Sequence, residues 1–447
     1  MAESLENLTA ALLAAAKRAG ATAADAIAVS GTSQSIDIRA GLLEQAERSE
    51  GIEIGLRVLI GGRQACVSAS DVSAATLERL AERAVAMARE APEDPYAGLA
   101  KPGEIARDWD LAALDLCDPT AEPSPAQLES DARASEAAAM AVPGITQVEA
   151  SAGYALRQMH LAASNGFSGG YARSSRSVSA VAFTGTGTGM ERDYAGEGRI
   201  YQADMPSAVE IGTLAATRAL ARAGATKPKT GTYPVLFDER VASSLIGHLL
   251  SAINGAGIAR GSSWLLDALG KQVLPVGLSV VEDPLRPRIS GSRPFDGEGL
   301  ATARRTIVHD GILQGWTLDL ATARKLGMAS TGSASRGTSA PPSPSTSNID
   351  LTQGTVSRAG LIRDMGTGLL ITSMIGSTIS ATTGDYSRGA AGFWVENGQI
   401  MHAVNECTIA GNLRDMLLRI IPANDARAHL STRVPSLLIE GMTIAGA

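Results

Sequence analysis

Apolar and polar positions switch period several times along this chain, and the switches predict its elements. Leu5, Leu8, Leu12 and Ala16 fall on one helical stripe, and Gly20 follows as a stop. Residues 25–30, 34–40 and 42–48 then alternate or run apolar at strand length. Residues 51–59 and 63–70 flank Ile60-Gly61-Gly62, which predicts a hairpin turn. Residues 74–91 return to a helical period, with Leu77, Leu80, Ala84, Met87 and Ala88 on the apolar face. A connector with Pro and Gly, 91–103, separates this unit from a second one. There, Ser124-Pro125 opens a helix, strands follow around 146–153, 157–164 and 177–184, and 206–223 is helical again. The run Lys227-Pro228-Lys229-Thr230-Gly231 marks a boundary.

Beyond it, residues 233–237 form a short strand that feeds a helix over 238–253. Strands are expected at 276–282, 305–308 and 312–316. A hairpin is expected over 393–404 around Asn397-Gly398, then a helix near 412–421 and a terminal strand near 436–443. Residues 331–347 are rich in Ser, Thr, Gly and Pro without apolar period and predict a long surface loop. Clustered helices and antiparallel strands, without regular βαβ alternation, give an α+β fold. The N-terminal α/β region, with antiparallel strands flanked by helices, spans 1–226 with a break near 92–123. A strand-rich, peptidase-like region with one motif-bearing helix spans 227–447.

Composition narrows the function classes. The chain has 447 residues, 45% hydrophobic, enough for two or three domains with real cores. Its formal charge of −7 lacks the basic field that phosphate backbones need, which argues against nucleic acid as a partner. Three dispersed cysteines, Cys66, Cys117 and Cys407, form neither CxxC nor a disulfide framework and fit a reducing compartment. The start, with Glu3 and Glu6, lacks the basic and apolar regions of a signal peptide. No run approaches 18 apolar residues, so a cytoplasmic protein without membrane attachment is expected.

Most motif-like stretches have plain readings. Gly166-Phe167-Ser168-Gly169-Gly170 matches the G-x-S-x-G elbow, which needs a helix after the serine. Residues 171–183 read as a strand instead, so a glycine-rich hairpin accounts for the pattern, and hydrolase chemistry at Ser168 is a weak reading. Thr184-Gly185-Thr186-Gly187-Thr188-Gly189 is followed by Glu191 and Asp193, which would repel an anion; a polar turn is expected. The five histidines, 160, 248, 309, 402 and 429, include no HExxH pair. Asp296 and Glu298, two apart, fit either a carboxylate pair or an acidic turn, and the turn is favoured because Asp and Gly suit it. Asp385, Tyr386 and Arg388 fit either an ion-paired structural cluster or a peptide-contact site.

A resemblance changes the weight of these segments. Phe295-Asp296-Gly297-Glu298-Gly299 looks like the F-D-x-E-G loop of the TldD/PmbA metallopeptidase family, also called modulators of DNA gyrase. Residues 310–313, 321–327, Thr383-Gly384-Asp385-Tyr386-Ser387-Arg388-Gly389, 395–398, 408–413 and 435–437 continue it over nearly the whole chain. On the helix after residue 237, Val241-Ala242-Ser243-Ser244-Leu245-Ile246-Gly247-His248 resembles the H-E-x-x-G-H zinc segment of the TldD branch. Ser243 stands where the first histidine would be and Ser244 where the glutamate would be, and only Gly247-His248 is kept. Serine hydroxyls give no stable zinc shell, and they cannot replace a carboxylate as general base. The TldD branch also draws a cysteine ligand from its C-terminal part; residues 424–432 contain none, and Cys407 comes too early. Residues five apart on a regular helix differ by about 140°, so an HExxxH helix needs a local distortion, and Gly247 is placed to keep one here.

The resemblance is therefore to the PmbA/TldE branch, the partner without the zinc ligands. It implies a metal-free, non-catalytic subunit with vestigial positions Ser243, Ser244 and His248. Zinc would sit on a TldD-type HExxxH partner, and the two chains would enclose a cavity for unfolded or extended peptide. Asp296, Glu298, Asp385, Tyr386 and Arg388 are the expected cleft or motif residues. The gyrase name would then reflect an indirect effect. The alternative is a stand-alone homodimer that binds peptide, chaperone-like, without peptidase work. A third reading is an independent hydrolase using Ser168 or the Asp296/Glu298 pair.

Overall fold

A computed structural model describes residues 4–446. The first helix, α1 (Leu5–Ala19), is capped by the Ser4 hydroxyl, which accepts from Asn7 N–H, and it stops at Gly20 with φ 100°. Strands β1 (Ala23–Arg39), β2 (Leu42–Ile60) and β3 (Arg63–Ala69) follow, then α2 (Ala74–Glu90) and the short α3 (Leu111–Leu114). The second unit adds α4 (Pro125–Met140), β4 (Ile145–Ala163), β5 (Ser168–Thr184), β6 (Glu191–Arg199) and α5 (Ala208–Ala221). All six strands form one antiparallel sheet in the order β3-β2-β1-β4-β5-β6. Gly61 and Gly62 both have positive φ, as the expected β2–β3 hairpin turn requires.

The strands are far longer than their apolar pattern predicts. The expected breaks near residues 31–33 and 154–156 lie inside β1 and β4, which pair without interruption from Asp25↔Ala163 to Arg39↔Glu149. What ends there is the cover, not the strand. Ala24, Ala26 and Ala28 pack under α1 and α2, whereas Ile36 and Ile38, on the same face, pack under α4 and α5. Between the two helix pairs the face carries Ser30, Thr32 and Gln34, and polar residues there need no change of backbone.

The opposite face of the sheet meets the C-terminal region. Ile27, Leu161, Ala163 and Phe167 pack with Phe295, and Trp109 of the connector joins them. That region begins with β7 (Gly231–Phe237), α6 (Glu239–Ala252), α7 (Gly255–Ala259), β8 (Val280–Glu282), β9 (Arg305–His309), β10 (Ile312–Leu313) and α8 (Leu320–Leu326). It continues through β11 (Ala334–Ser335), β12 (Ser343–Pro344), β13 (Ile349–Leu351), α9 (Arg358–Met365), β14 (Gly368–Ile379), β15 (Asp385–Glu396) and β16 (Gln399–Asn412). The last elements are α10 (Leu413–Leu417), β17 (Ile421–Pro422), β18 (Thr432–Arg433) and β19 (Leu437–Ala445). The larger sheet runs β16-β15-β14-β7-β19-β17, and β16 also pairs with β19 at Thr408–Ala445, so the sheet curls towards closure. One continuous core joins α6 to this sheet and to the smaller β10-β9-β8-β13-β18 sheet. The architecture is α+β.

The expected surface loop 331–347 is in fact pinned between the two regions. It forms the β11–β12 hairpin, Ser333 and Ala334 are buried, and its only charged residue, Arg336, is buried against Asp25 of β1. Asp25 also binds Arg57 of β2, whose Nε lies 2.7 Å from Oδ2. The backbone of Thr338 runs so close to Gly55 that a Cβ there would meet its carbonyl oxygen at 2.1 Å.

Candidate functional site

Helix α6 carries the residues at the zinc-like positions. It starts at Asp238, whose carboxylate accepts from Arg240 N–H, and Ala242, Leu245, Ile246 and Leu249 bury its inner face. The helix is α throughout, so the distortion expected at Gly247 is absent; Gly247 simply faces solvent. With no histidine and glutamate to bring onto a common ligand, nothing demands a break. The Ser244 hydroxyl donates back to the Val241 carbonyl at 2.7 Å, a bond internal to the helix.

His248 points into the protein. Its ring meets the Tyr386 ring edge-on, centroids 5.9 Å apart, and its Nε2 is buried without a hydrogen-bond partner. Burial and then the nearby Arg388 guanidinium hold its pKa below the ordinary value, so the ring is neutral at physiological pH. Tyr386 is buried on β15, and its hydroxyl lies 3.4 Å from the Met374 sulfur. Burial pushes the phenol up to about 12. Arg388 donates from Nε to the Gly376 carbonyl at 2.7 Å.

Zinc does not fit this arrangement. A structural or catalytic zinc needs three or four N, S or O donors converging on one point. Here one neutral imidazole nitrogen stands free, the neighbouring serine hydroxyl is committed to the helix, and a guanidinium sits beside the ring. Cys407 is turned to the Ala390 carbonyl at 3.2 Å, and burial pushes its thiol up to about 11. Among the described residues no group of three or more His, Cys, Asp or Glu is arranged to hold a metal.

The structure brings together only part of the expected set. His248, Tyr386 and Arg388 form one cluster. Asp385, on the other side of the strand from Tyr386, is exposed, and its carboxylate accepts from Thr383 Oγ1 at 2.6 Å and Asn412 Nδ2 at 3.1 Å. Those two bonds hold its pKa below the usual carboxylate range. Asn412 in turn caps α10 by accepting from Arg414 N–H, and Leu413 N–H donates to the Gly384 carbonyl. The motifs around 384 and 412 are thus two sides of one structural joint.

Asp296 and Glu298 lie elsewhere, in the turn that seats Phe295 against the N-terminal sheet. Asp296 is 1% exposed and accepts from the N–H groups of Glu298, Leu300 and Ala334, at 2.9, 2.9 and 3.1 Å. Glu298 accepts from Leu320 N–H at 2.8 Å, at the start of α8. Burial first, and then the neighbouring Asp296, push Glu298 up to about 8. These are the acidic-turn residues the spacing favoured, with the added feature that both are buried. Sequence reasoning missed Arg336, Asp25 and Arg57 altogether; a single arginine in an otherwise uncharged Ser/Gly/Pro stretch was the available signal.

Next to the α6 cluster, where β6 meets the C-terminal sheet, lies a cleft of about 610 Å³. Met374, Ile375, Gly389, Ala390, Arg192 and Glu191 line it, and Ile375 is 78% exposed. The cleft is lined from both halves of the chain and borders Met374, the Tyr386 partner.

Comparison with known proteins accounts for the whole chain. Models of the PmbA/TldA metallopeptidase match in three parts: domain 1 over residues 24–88, the central domain over 118–223 and the C-terminal domain over 230–446. Metalloprotease PmbA of Escherichia coli O157:H7 is 38% identical over 444 residues, 98% of this chain and 95% of that protein. The Haemophilus influenzae homologue is 35% identical, covering 96% and 94%. A candidate modulator of DNA gyrase from Bacteroides thetaiotaomicron superposes with TM-score 0.92 at 27% identity, covering 99% of this chain and 100% of that one. TldE from Thermococcus kodakarensis shares the fold, with TM-score 0.84 at 18% identity and coverage of 98% and 100%. No described helix is long and apolar enough to cross a membrane. On its sequence and its fold alike, the chain belongs to the PmbA/TldD metallopeptidase family.

Proposed function

We propose that this chain is the metal-free, TldE-like subunit of a two-protein zinc peptidase. Its partner is a TldD-type chain that carries the HExxxH helix and the zinc. This chain completes the cavity and holds unfolded or extended peptide. The observation that carries the reading is the α6 cluster: Ser243 and Ser244 stand at the two zinc-chemistry positions, and Arg388 sits beside the one retained histidine. The relatives named metalloprotease are proteins of this same family, so the metal chemistry is assigned to the complex rather than to this helix. Two features support peptide holding. The 610 Å³ cleft offers apolar contacts from Met374 and Ile375. Residues 42–53 of β2 pair with β1 alone, since β3 joins only from Ile54 onward, leaving an open main-chain edge of the kind that accepts extended peptide.

The test is to purify this chain alone and with its HExxxH partner, assay cleavage of an unfolded protein, and measure bound zinc. Cleavage by the mixture only, abolished by a chelator, is expected. Stoichiometric zinc or chelator-sensitive cleavage by this chain alone would overturn the reading. Tight peptide binding with no cleavage in either preparation would favour a stand-alone, homodimeric binding protein.

A further inference from the structure

The strands β4 and β5 put a second histidine to a use the proposed function does not need. The loop Ser164-Asn165-Gly166 turns β4 into β5, so Ser168 begins a strand and not a helix. The hairpin reading of the G-x-S-x-G pattern therefore holds. Its neighbours, however, are those of a reactive serine. The Ser168 hydroxyl is exposed and lies 3.4 Å from Nε2 of His160 on β4. On the other side of the ring, Nδ1 lies 2.8 Å from the Thr9 hydroxyl, which is buried on α1.

The hydrogen-bond roles in this line are fixed by one proton. Thr9 Oγ1 also lies 2.9 Å from the Glu6 carbonyl, which can only accept, so the Thr9 proton goes there. Thr9 Oγ1 must then accept from His160 Nδ1–H. The proton on Nδ1 leaves Nε2 as a bare acceptor facing Ser168 Oγ, the tautomer a general base requires. Burial holds the His160 pKa below its ordinary value, which keeps that ring neutral.

Two further features complete the setting. Gly170 leaves room for the ring, because a Cβ there would lie 3.0 Å from His160 Cδ2. In an antiparallel pair, alternate N–H groups point away from the partner strand. Ser174 N–H leaves the β5 edge to reach the Leu116 carbonyl at 3.1 Å. The pairing with β4 runs without a bulge from Gln147↔Phe183 to Ala162↔Ser168, so Ser168 and Gly170 N–H aim off the same edge. β6 pairs with β5 only from Arg176 onward, so no strand covers that edge at Ser168. His160 also borders a cleft of about 830 Å³ between the two helix pairs, with Leu5, Leu8, Ile52, Ser30 and Thr32 on its walls.

We infer that Ser168 is an acyl-accepting nucleophile with His160 as its base and Thr9 as the positioning residue, acting on esters of short apolar acyl groups. In the first step Ser168 Oγ bonds to the ester carbonyl carbon and its proton moves to His160 Nε2. The Ser168 N–H, on the uncovered edge of β5, donates to the carbonyl oxygen as it becomes an oxyanion. The bond from the acyl carbon to the alcohol oxygen then breaks, and the alcohol leaves with the proton from Nε2. Water, deprotonated by the same nitrogen, releases the acid and restores the serine. No metal enters the cycle.

The experiment uses the full chain, in EDTA, with p-nitrophenyl butyrate as substrate and a fluorophosphonate as the covalent probe. Expected are probe attachment at Ser168 by peptide mass mapping, and butyrate hydrolysis that falls at least tenfold in Ser168→Ala and His160→Gln. Ser168 is exposed, so Ser168→Ala should keep the wild-type circular dichroism. Thr9→Val should lower kcat and Thr9→Ser should restore it, a rescue that a purely packing role for Thr9 would not give. An unlabelled wild-type chain, or hydrolysis unchanged in Ser168→Ala, would overturn the inference. Neither result bears on the zinc-dependent reading, which is tested in the mixture and is abolished by the chelator.

Discussion

The turn at 295–300 and the inner face of α6 both display residue types that catalysis uses, and they treat them oppositely. In the turn, the Asp296 carboxylate takes three backbone N–H groups and Glu298 takes a fourth. Their lone pairs are occupied in holding the loop, the β11–β12 hairpin and α8 together under the N-terminal sheet. On α6, His248 Nε2 is buried and touches no donor or acceptor. A buried polar atom without a partner is costly to keep, so it asks for an explanation that a satisfied one does not. The family motif that looks more catalytic, F-D-x-E-G, is thus the joint between domains. The plainer Gly-His carries the polar atom that the fold leaves unsatisfied.

The comparison breaks most visibly at Asp296. Asp296→Ala removes the acceptor of three buried N–H groups at once. At about 1–3 kcal/mol for each unsatisfied group, and less than additive, the loss should be on the order of 4 kcal/mol. Urea unfolding checks it. A loss below about 1 kcal/mol would mean that water replaces the carboxylate and that the turn is not a joint.

Glu298 gives the next largest effect, and its sign depends on pH. Its folded pKa, about 8, lies above the ordinary glutamate value of 4.5, so the folded state keeps the proton that the unfolded state loses over that window. Stability associated with this proton is full below pH 4.5 and declines as pH rises towards 8. Glu298→Gln keeps an oxygen for Leu320 N–H and cannot ionise, so it should gain stability on the order of 3 kcal/mol at pH 7 and little at pH 4.5. Parallel urea midpoints for both proteins across that range decide it. Parallel curves would mean that Glu298 is already ionised in the fold.

How much of this was legible in the sequence follows from what the pattern records. Hydrophobic periodicity reports burial of side chains against cover, so it located the five longest helices, α1, α2, α4, α5 and α6, and the covered halves of β1 and β4, but not the short α7 and α9. It could not see that β1 crosses Ser30–Thr32 unbroken, because a strand held by two neighbours needs no apolar face. The buried Arg336 was hidden for the reverse reason: its partner, Asp25, which it shares with Arg57, lies about 300 residues away in sequence, and period carries no information about pairing at that range. The resemblance of residues 243–248 to a zinc helix was readable because a metal helix has a fixed local spacing. The line Thr9, His160 and Ser168 was not, since it draws on one helix and two strands.

The smallest effect tests the α6 side of the comparison. His248→Phe replaces the ring by one of similar size and removes the orphaned nitrogen while keeping an edge contact to Tyr386. Deleting a buried polar atom that has no partner should cost nothing and can gain up to about 1 kcal/mol. It should also end a pH dependence. With its folded pKa below the ordinary 6.5, His248 makes the wild type less stable as pH falls below 6.5, because the unfolded ring takes the proton first. The variant should lose less stability between pH 7 and 5 than the wild type, and its complex with the HExxxH partner should still cleave unfolded protein. A complete loss of cleavage with assembly intact would move His248 from remnant to working part. The free nitrogen would then be facing something the partner supplies.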